Sequence, residues 1–211
     1  MKSFYTPPSF VKSLFKEYIW ESKCKKVLLT FDDGPTIEST EKIILLLNDL
    51  NIKAVFFCIG NNISSNKELT ELLIKSGHSV GNHTLTHKKL LWLNSVEIQK
   101  EISMTNKILN ENHNYKVDYF RPPHGMPAFG LKRILQNFNL KNIMWSLLTM
   151  DYKGDISFVK FAVEKYLRNN SIVVLHDNKK SKDIILDSIK IVVDDASKKG
   201  FEIGVPAECL N

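Results

Sequence analysis

The chain alternates short apolar runs with longer stretches in which apolar residues recur at helical spacing. The short runs predict seven strands, at 26–31, 54–59, 79–82, 117–120, 142–146, 171–175 and 201–204. The longer stretches predict helices near 38–50, 66–76, 94–111, 129–138, 156–168 and 182–199. Strands that alternate with helices are typical of βα units around a parallel sheet or barrel. The pattern therefore predicts an α/β protein, and we expect a single domain because no boundary interrupts the alternation.

The first 25 residues do not follow this alternation. Six of their apolar residues fall on one face if the segment is helical: Phe10, Val11, Leu14, Phe15, Ile19 and Trp20. We expect an amphipathic helix packed on the domain. A helix at a membrane surface is the less favoured alternative, because few basic residues accompany it. The predicted division is an N-terminal segment over 1–25 and a domain over 26–211.

Composition adds few constraints to this picture. With 43% apolar and 25% charged residues, a chain of 211 residues is ordinary for one globular domain. The net charge of +6 comes from scattered lysines, so we expect no nucleic-acid partner, whereas an anionic polymer or a membrane surface is equally compatible with this charge. We also expect a monomer. No apolar run reaches the roughly 20 residues that span a bilayer, and no secretory signal is visible. This favours the cytoplasm, with membrane association left open.

The three cysteines give no sign of a metal or redox motif. They are Cys24, Cys58 and Cys209, which are far apart in the sequence and include no CxxC pair. We therefore expect reduced thiols or packing residues.

Polar side chains follow the predicted strands at their carboxyl ends. In chain order they are Asp32, Asp33, His83, His87, Arg121, Asp151 and His176. In parallel βα folds, reactive groups collect at this end of the sheet. We expect these side chains to meet at one edge.

The stretch HTLTH at 83–87 suggests a metal site. Its two imidazoles are four residues apart and would point the same way on a helical turn. This spacing alone is a weak signal, but a carboxylate from Asp33 would complete a three-ligand site with open positions, as catalytic metals have. Such ligands also suit a non-haem iron oxygenase. Hydrolysis is favoured because Asp32 can serve as a base and His176 as an acid.

Five motifs, in this order along the chain, resemble those of the polysaccharide deacetylases of carbohydrate esterase family four. They are TFDDGP at 30–35, HTLTH at 83–87, RPPHG at 121–125, WSLLTMDY at 145–152 and IVVLHD at 172–177. The resemblance covers about residues 26–205. It implies a distorted (β/α) barrel with about seven strands, in which 26–211 forms the catalytic domain. It also implies a metal-dependent hydrolase that removes N-acetyl groups from N-acetylglucosamine-type residues of a glycan.

The resemblance implies catalytic and metal-binding roles by position. Asp32 would be the general base, and Arg121 would orient it. His176 would be the general acid, with Asp151 as its partner. The implied ligands of a divalent metal are Asp33, His83 and His87. Zinc is favoured by ligand type, with cobalt, manganese and nickel as alternatives.

The resemblance also implies a substrate-binding surface. Its residues would be His124, Trp145, Val174 and Pro123, with Trp145 and Val174 around the acetyl methyl group. Three positions depart from the usual family pattern. Leu148 stands where many members carry aspartate, and Tyr152 where they carry tryptophan. His124 replaces a frequent tyrosine and is an alternative candidate for the acid.

Other functions remain open at this point. The substrate is expected to be an N-acetylated glycan or a glycolipid, the latter with peripheral membrane contact. A deacylase or deformylase of a lipid-linked or other amide is one alternative. A non-catalytic glycan-binding protein of the same fold is another.

Overall fold

Seven short parallel strands form the sheet at the centre of this protein. The structure is a computed structural model that describes residues 5–126, 128 and 130–211. The strands are β1 (Leu28–Asp32), β2 (Val55–Cys58), β3 (Ser79–Asn82), β4 (Tyr119–Phe120), β5 (Lys141–Asn142), β6 (Leu147–Leu148) and β7 (Ile172–His176). Their order across the sheet is β5-β4-β3-β2-β1-β7-β6. The sheet curls into a half-barrel, which confirms the predicted distorted (β/α) barrel.

The helices occupy the segments between the strands and both ends of the chain. They are α1 (Ser9–Leu14), α2 (Thr40–Asp49), α3 (Gly60–Ser65), α4 (Lys67–Lys75), α5 (Ser95–His113), α6 (Leu131–Asn137), α7 (Ile156–Tyr166), α8 (Ile185–Lys198) and α9 (Pro206–Leu210). The six predicted helices correspond to α2 and α4–α8, although position 129 of one lies outside the described residues. The sequence pattern does not predict α3 and α9, because helices of six and five residues are too short to show a helical period. In the described part of the chain, no helix is long and apolar enough to cross a membrane.

Two of the predicted strands are wrong. The run at 142–146 is mostly the link between β5 and β6, because the side chain of Arg121 takes the carbonyl groups of Ile143 and Met144 that a strand ladder would use. The run at 201–204 contributes only one bridge, from Ile203 to the residue before β1. It is confined between the end of α8 and the start of α9.

The amphipathic helix predicted within the first 25 residues is present only as α1, so Phe15, Ile19 and Trp20 do not share a helical face with Phe10. After α1 the chain becomes extended, with Ile19 bridging to Ile143 and Glu21 bridging to Ser171. Trp20 is buried between these bridges. Pairing with the edge of the sheet satisfies the hydrogen-bonding groups of the backbone and buries the indole of Trp20. One more turn of exposed helix would not bury this indole. The division between an N-terminal segment and a domain at residue 25 stays a prediction.

Strand β1 separates two apolar layers. Leu29 and Phe31 pack with the outer helices. Leu28 packs with Cys209 of α9 inside the curled sheet. Because successive side chains of a strand point to opposite faces, Asp32 lies on the same inner face as Leu28, at the other end of the strand. The interior is therefore closed by α9 at the amino ends of the strands and polar at their carboxyl ends.

Candidate active site

Two adjacent carboxylates at the end of β1 face different partners. Asp32 is the last residue of β1 and is buried, and its Oδ1 accepts a hydrogen bond of 2.7 Å from Nη1 of Arg121. Asp33 has left the strand, with φ at 78°. Its Oδ1 lies 3.2 Å from Nε2 of His87 and 3.6 Å from Nε2 of His83. The change in backbone conformation therefore separates the two carboxylates.

Asp33, His83 and His87 have the chemistry of a metal-binding set. Their ligand atoms all lie within 4.8 Å of one another. Nδ1 of His83 is 2.8 Å from the carbonyl oxygen of Arg121, so it donates its proton there and leaves the Nε2 lone pair facing Asp33. Such a backbone bond orients metal-binding histidines in general. The three groups therefore fit a divalent cation.

The charge states of two of these groups favour a cation. Burial lowers the pKa of His83 to about 4, so its imidazole is neutral at pH 7. Burial alone would raise the pKa of Asp33, but the hydrogen bond from His87 and the charges of neighbouring histidines hold it below its usual value. A neutral imidazole and an ionised carboxylate are the forms that bind metal.

The stretch 83–87 is a tight loop and not the helical turn that we expected. Its Thr84 and His87 have φ values of 67° and 58°. The carboxylate of Glu101, on α5, accepts both the N–H and the hydroxyl of Thr86, at 2.8 and 2.7 Å. The loop nonetheless brings the two imidazole rings to a centroid distance of 4.9 Å. The predicted convergence is present, although a different backbone shape produces it.

Arg121 is fully buried and fixes the orientation of Asp32. Besides its bond to Asp32, its Nη1 donates to the hydroxyl of Thr30 at 2.7 Å. Its Nε and Nη2 donate to the carbonyl oxygens of Ile143 and Met144, at 2.9 and 2.8 Å. Burial lowers the pKa of Arg121, and the charge of Asp32 opposes this effect. With Oδ1 of Asp32 held in this way, Oδ2 is the oxygen that is left for the cavity.

His176 and Asp151 form a buried pair on the other side of Asp32. His176 ends β7 in register with Asp32. Its Nδ1 lies 2.7 Å from Oδ1 of Asp151, and its backbone N–H donates to Oδ2 at 2.7 Å. Burial alone would lower the pKa of His176, but the charge and hydrogen bond of Asp151 raise it to about 9. The ring is therefore protonated at neutral pH, with the Nε2 proton available.

These side chains open into one cavity of about 360 Å³. Its lining residues are Asp32, Asp33, His83, His87, His124, Gly125, Trp145, Leu148, Tyr152, Val174, His176, Asn178 and Lys180. Three of the predicted substrate-binding residues are therefore at the cavity wall. The fourth, Pro123, is buried and is not one of the lining residues, so its contact with substrate stays a prediction. Arg121 and Asp151 do not line the cavity. Arg121 contacts the lining residue Asp32, and Asp151 contacts the lining residue His176.

His124 lies beside the metal-binding set. It lies in a short 3-10 turn over Pro123–Gly125 with φ at 59°, and its ring contacts that of His87 edge-on at 4.7 Å. Burial and the charge of His87 lower the pKa of His124. His124 has neither a buried carboxylate partner nor a raised pKa, which favours His176 as the acid.

A second cavity of about 310 Å³ adjoins the first. The two share Gly125, Trp145, Leu148 and Tyr152. A Cβ atom at Gly125 would lie 2.1 Å from the Trp145 ring, so this approach requires glycine. The rest of the second cavity is lined mainly by apolar and proline residues, namely Pro7, Pro8, Val11, Trp20, Met144 and Met150, together with Thr6.

Two polar residues after β7, Asn178 and Asp177, support the site although the sequence pattern assigns them no role. Nδ2 of Asn178 donates to Oδ2 of Asp33 at 2.8 Å, which leaves Oδ1 for the imidazoles. The N–H of Asp177 donates to the carbonyl of Asp32 at 2.8 Å. The Asp177 carboxylate accepts bonds from three hydroxyl groups, those of Thr36, Ser39 and Thr40. The one sequence signal was an unbroken polar run directly after β7.

Comparison of sequences identifies several relatives. The model of the polysaccharide deacetylase family matches residues 21–143. A peptidoglycan-N-acetylglucosamine deacetylase of Bacillus cereus is 34% identical over 150 residues, which are 71% of this chain and 54% of that protein. Its counterpart PgdA of Listeria monocytogenes is 31% identical over 165 residues, which are 78% of this chain and 35% of that protein. The chain thus spans about half, or a third, of the length of these relatives.

Comparison of structures finds both an enzyme and a pseudoenzyme. A peptidoglycan N-acetylglucosamine deacetylase, crystallised with 4-naphthalen-1-yl-N-oxidanyl-benzamide, superposes with a TM-score of 0.87 at 27% identity and covers 96% of each chain. A pseudoenzyme of carbohydrate esterase family four from Bacillus anthracis superposes with a TM-score of 0.81 at 26% identity, over 92% of this chain and 68% of that one. The fold alone therefore does not determine activity.

Proposed function

Because the chain belongs to the polysaccharide deacetylase family, we propose that it is a metal-dependent hydrolase that removes N-acetyl groups from N-acetylglucosamine-type residues of a glycan. One observation carries the proposal. A metal-binding set, a carboxylate and a protonated imidazole all line a single cavity at the carboxyl ends of β1 and β7. The relatives from Bacillus cereus and Listeria monocytogenes support a cell-wall glycan as the substrate class.

Asp33, His83 and His87 would hold the metal. When bound, a divalent cation supplies Lewis-acid polarisation of the acetamide carbonyl and lowers the pKa of water. Two imidazoles and one carboxylate suit zinc first, with cobalt, manganese or nickel as alternatives. Asn178 would keep Oδ2 of Asp33 away from the cation, so that Asp33 binds through Oδ1.

Asp32 would accept the proton of the attacking water. Oδ1 of Asp32 is engaged by Arg121, whereas its Oδ2 is directed away from that bond. Three further hydrogen bonds fix Arg121, and through its bond to Oδ1 the guanidinium restrains the orientation of the Asp32 carboxylate. Arg121 would thus act as a positioning residue.

His176 would protonate the leaving amine. As the carbon–nitrogen bond breaks, its Nε2 proton passes to the nitrogen of the sugar, and acetate and a free amine result. Asp151 keeps the imidazole protonated and fixes the ring through Nδ1. Trp145 and Val174 would surround the acetyl methyl group, and His124 would contact the substrate at the rim.

The adjoining second cavity favours one other candidate function. Its mostly apolar wall continues past Leu148, where many family members carry aspartate. A substrate with a larger acyl group, or an amide linked to a lipid, would place apolar atoms there. The second candidate is therefore a deacylase of such an amide, with the same base, acid and metal-binding residues.

Acetate release tests the proposal directly. The substrate panel contains N-acetylglucosamine oligomers, peptidoglycan, a simple acetyl ester and an N-butyryl analogue of the oligomers. We expect chelator-sensitive acetate release from an N-acetylated glycan. Faster cleavage of the butyryl analogue would favour the second candidate. Saturable glycan binding without release of any acid would contradict the proposal and indicate a non-catalytic glycan-binding protein of the same fold.

A further inference from the structure

Two thiols that are distant in the sequence meet at the amino end of the barrel. Cys24 and Cys209 are 185 positions apart, and their Sγ atoms lie 2.9 Å from each other. The N–H of Lys23 donates to the carbonyl of Cys209 at 2.9 Å, which holds the two backbones side by side. All three cysteines are free thiols, as the sequence predicts, but nothing in the sequence indicates that Cys24 and Cys209 lie together.

The surrounding backbone holds the pair in place without help from the sulfur atoms. The N–H of Val27 donates to the carbonyl of Glu202 at 2.8 Å, and the N–H of Gly204 donates to the carbonyl of Val27 at 2.9 Å. A Cβ atom at Gly204 would lie 2.4 Å from Sγ of Cys209 and 3.4 Å from Sγ of Cys24. The absence of a side chain at this glycine makes room for the two sulfur atoms.

We propose that Cys24 and Cys209 are a site of reversible disulfide formation, with a low-molecular-weight disulfide as the oxidant. The Cys24 thiolate attacks one sulfur of the oxidant, which forms a mixed disulfide and releases the first thiolate. The Cys209 thiolate then attacks the Cys24 sulfur, which forms the protein disulfide and releases the second thiolate. The oxidant gains two electrons and, with the two thiol protons, leaves as two thiols.

The order of these attacks follows from exposure. Cys24 is partly exposed, whereas Cys209 is buried in α9. Burial alone would raise the pKa of Cys24, but hydrogen bonds from Cys209 and Ser22 lower it below its usual value. Burial raises the pKa of Cys209 to about 12. An exposed, more acidic thiol reacts first, and its buried neighbour resolves the mixed disulfide.

The bond would join the N-terminal segment to the C-terminal helix. It closes a loop that contains nearly the whole domain, so the entropy lost by the unfolded chain is large. It lies at the opposite end of β1 from Asp32, which places it away from the catalytic groups. We therefore expect a more stable protein, with Tm raised by roughly 10 °C.

Thiol counting and mass spectrometry on the full chain test this proposal. The protein is incubated with oxidised glutathione at pH 8, or with dithiothreitol, then denatured and analysed. We expect the oxidised sample to lose the mass of two hydrogen atoms and to retain one thiol, that of Cys58. A digest would contain Cys24 and Cys209 in one linked peptide, and dithiothreitol would reverse the change.

Matched cysteine variants complete the test. Cys58→Ala should oxidise like the wild type and show the same rise in Tm, whereas Cys24→Ser should show neither. Three free thiols after oxidation, a stable glutathione adduct on Cys24, or a disulfide-linked dimer would each overturn the proposal.

Discussion

Replacing Asp151 by asparagine should move the alkaline limit of activity. In the wild type, Asp151 raises the pKa of His176 to about 9 against the effect of burial. Returning that pKa to its ordinary 6.5 removes about 3 kcal/mol of preference for the protonated ring. Activity requires the protonated acid, so it falls as the pH rises through the pKa of His176. The variant should lose activity at a lower pH than the wild type.

The predicted loss of kcat/KM in Asp151→Asn depends on pH. A general loss of folded enzyme would instead lower kcat/KM by the same factor at every pH. At pH 8 about nine tenths of the wild-type His176 imidazole is protonated. With a pKa of 6.5, only roughly 3% would be protonated, so kcat/KM of the variant should be lower by about 30-fold. At pH 6 both forms are mostly protonated, and the deficit is less than about twofold. The assay is kcat/KM for acetate release between pH 5 and 10, with metal in excess.

Asp155→Asn is the matched control. It makes the same chemical change four residues away, at an exposed residue that caps α7 through the N–H of Ser157. This control should retain the wild-type profile. If Asp151→Asn lowered kcat/KM equally at pH 6 and pH 8, the assignment of Asp151 as the group that keeps His176 protonated would be refuted.

Three further substitutions test the other groups of the site. Asp32→Asn keeps an oxygen for Arg121 but cannot take a proton, so kcat should fall by at least about 100-fold while metal content, measured by atomic absorption, is unchanged. Asn178→Ala removes the bond that orients Asp33, so zinc titration should show affinity weakened by roughly 10-fold or more, and unchanged affinity would contradict this role. Arg121→Met leaves Asp32 as an unpaired buried charge, and urea unfolding should show a loss of about 3–5 kcal/mol; a loss below about 1 kcal/mol would show that the pair is not structurally required.

Much of the architecture was readable from local patterns. The strands β1, β2 and β7 are long enough to show as apolar runs, and the helices α2, α4, α5, α7 and α8 are long enough to show a helical period. The two-residue strand β4 lies within the predicted strand at 117–120, whereas β5 and β6, also of two residues each, were not predicted as strands. The run at 142–146 was misread because its carbonyl groups bond to Arg121, a residue that is distant in the chain.

The site shows the same division between local and long-range information. Because parallel strands end at one edge of a sheet, the sequence was enough to expect that Asp32, His83 and His176 would meet. It could not show that Asn178 donates to Oδ2 of Asp33 or that Asp177 accepts hydrogen bonds from three hydroxyl groups in the loop after β1 and at the start of α2. Those contacts join β1 and β7, which are neighbours in the sheet but are separated by most of the chain.

The fold class, the reactive groups and the edge where they gather can be inferred from the sequence, because side-chain type and strand period are local properties. Which oxygen of each aspartate faces its partner, which histidine is protonated and which cysteines touch become clear only in the folded protein. Each of these depends on burial and on distances of a few ångströms between segments that fold together only in three dimensions. Asp32 and Asp33 are identical in type and adjacent in sequence, and only their surroundings in the folded chain make them different.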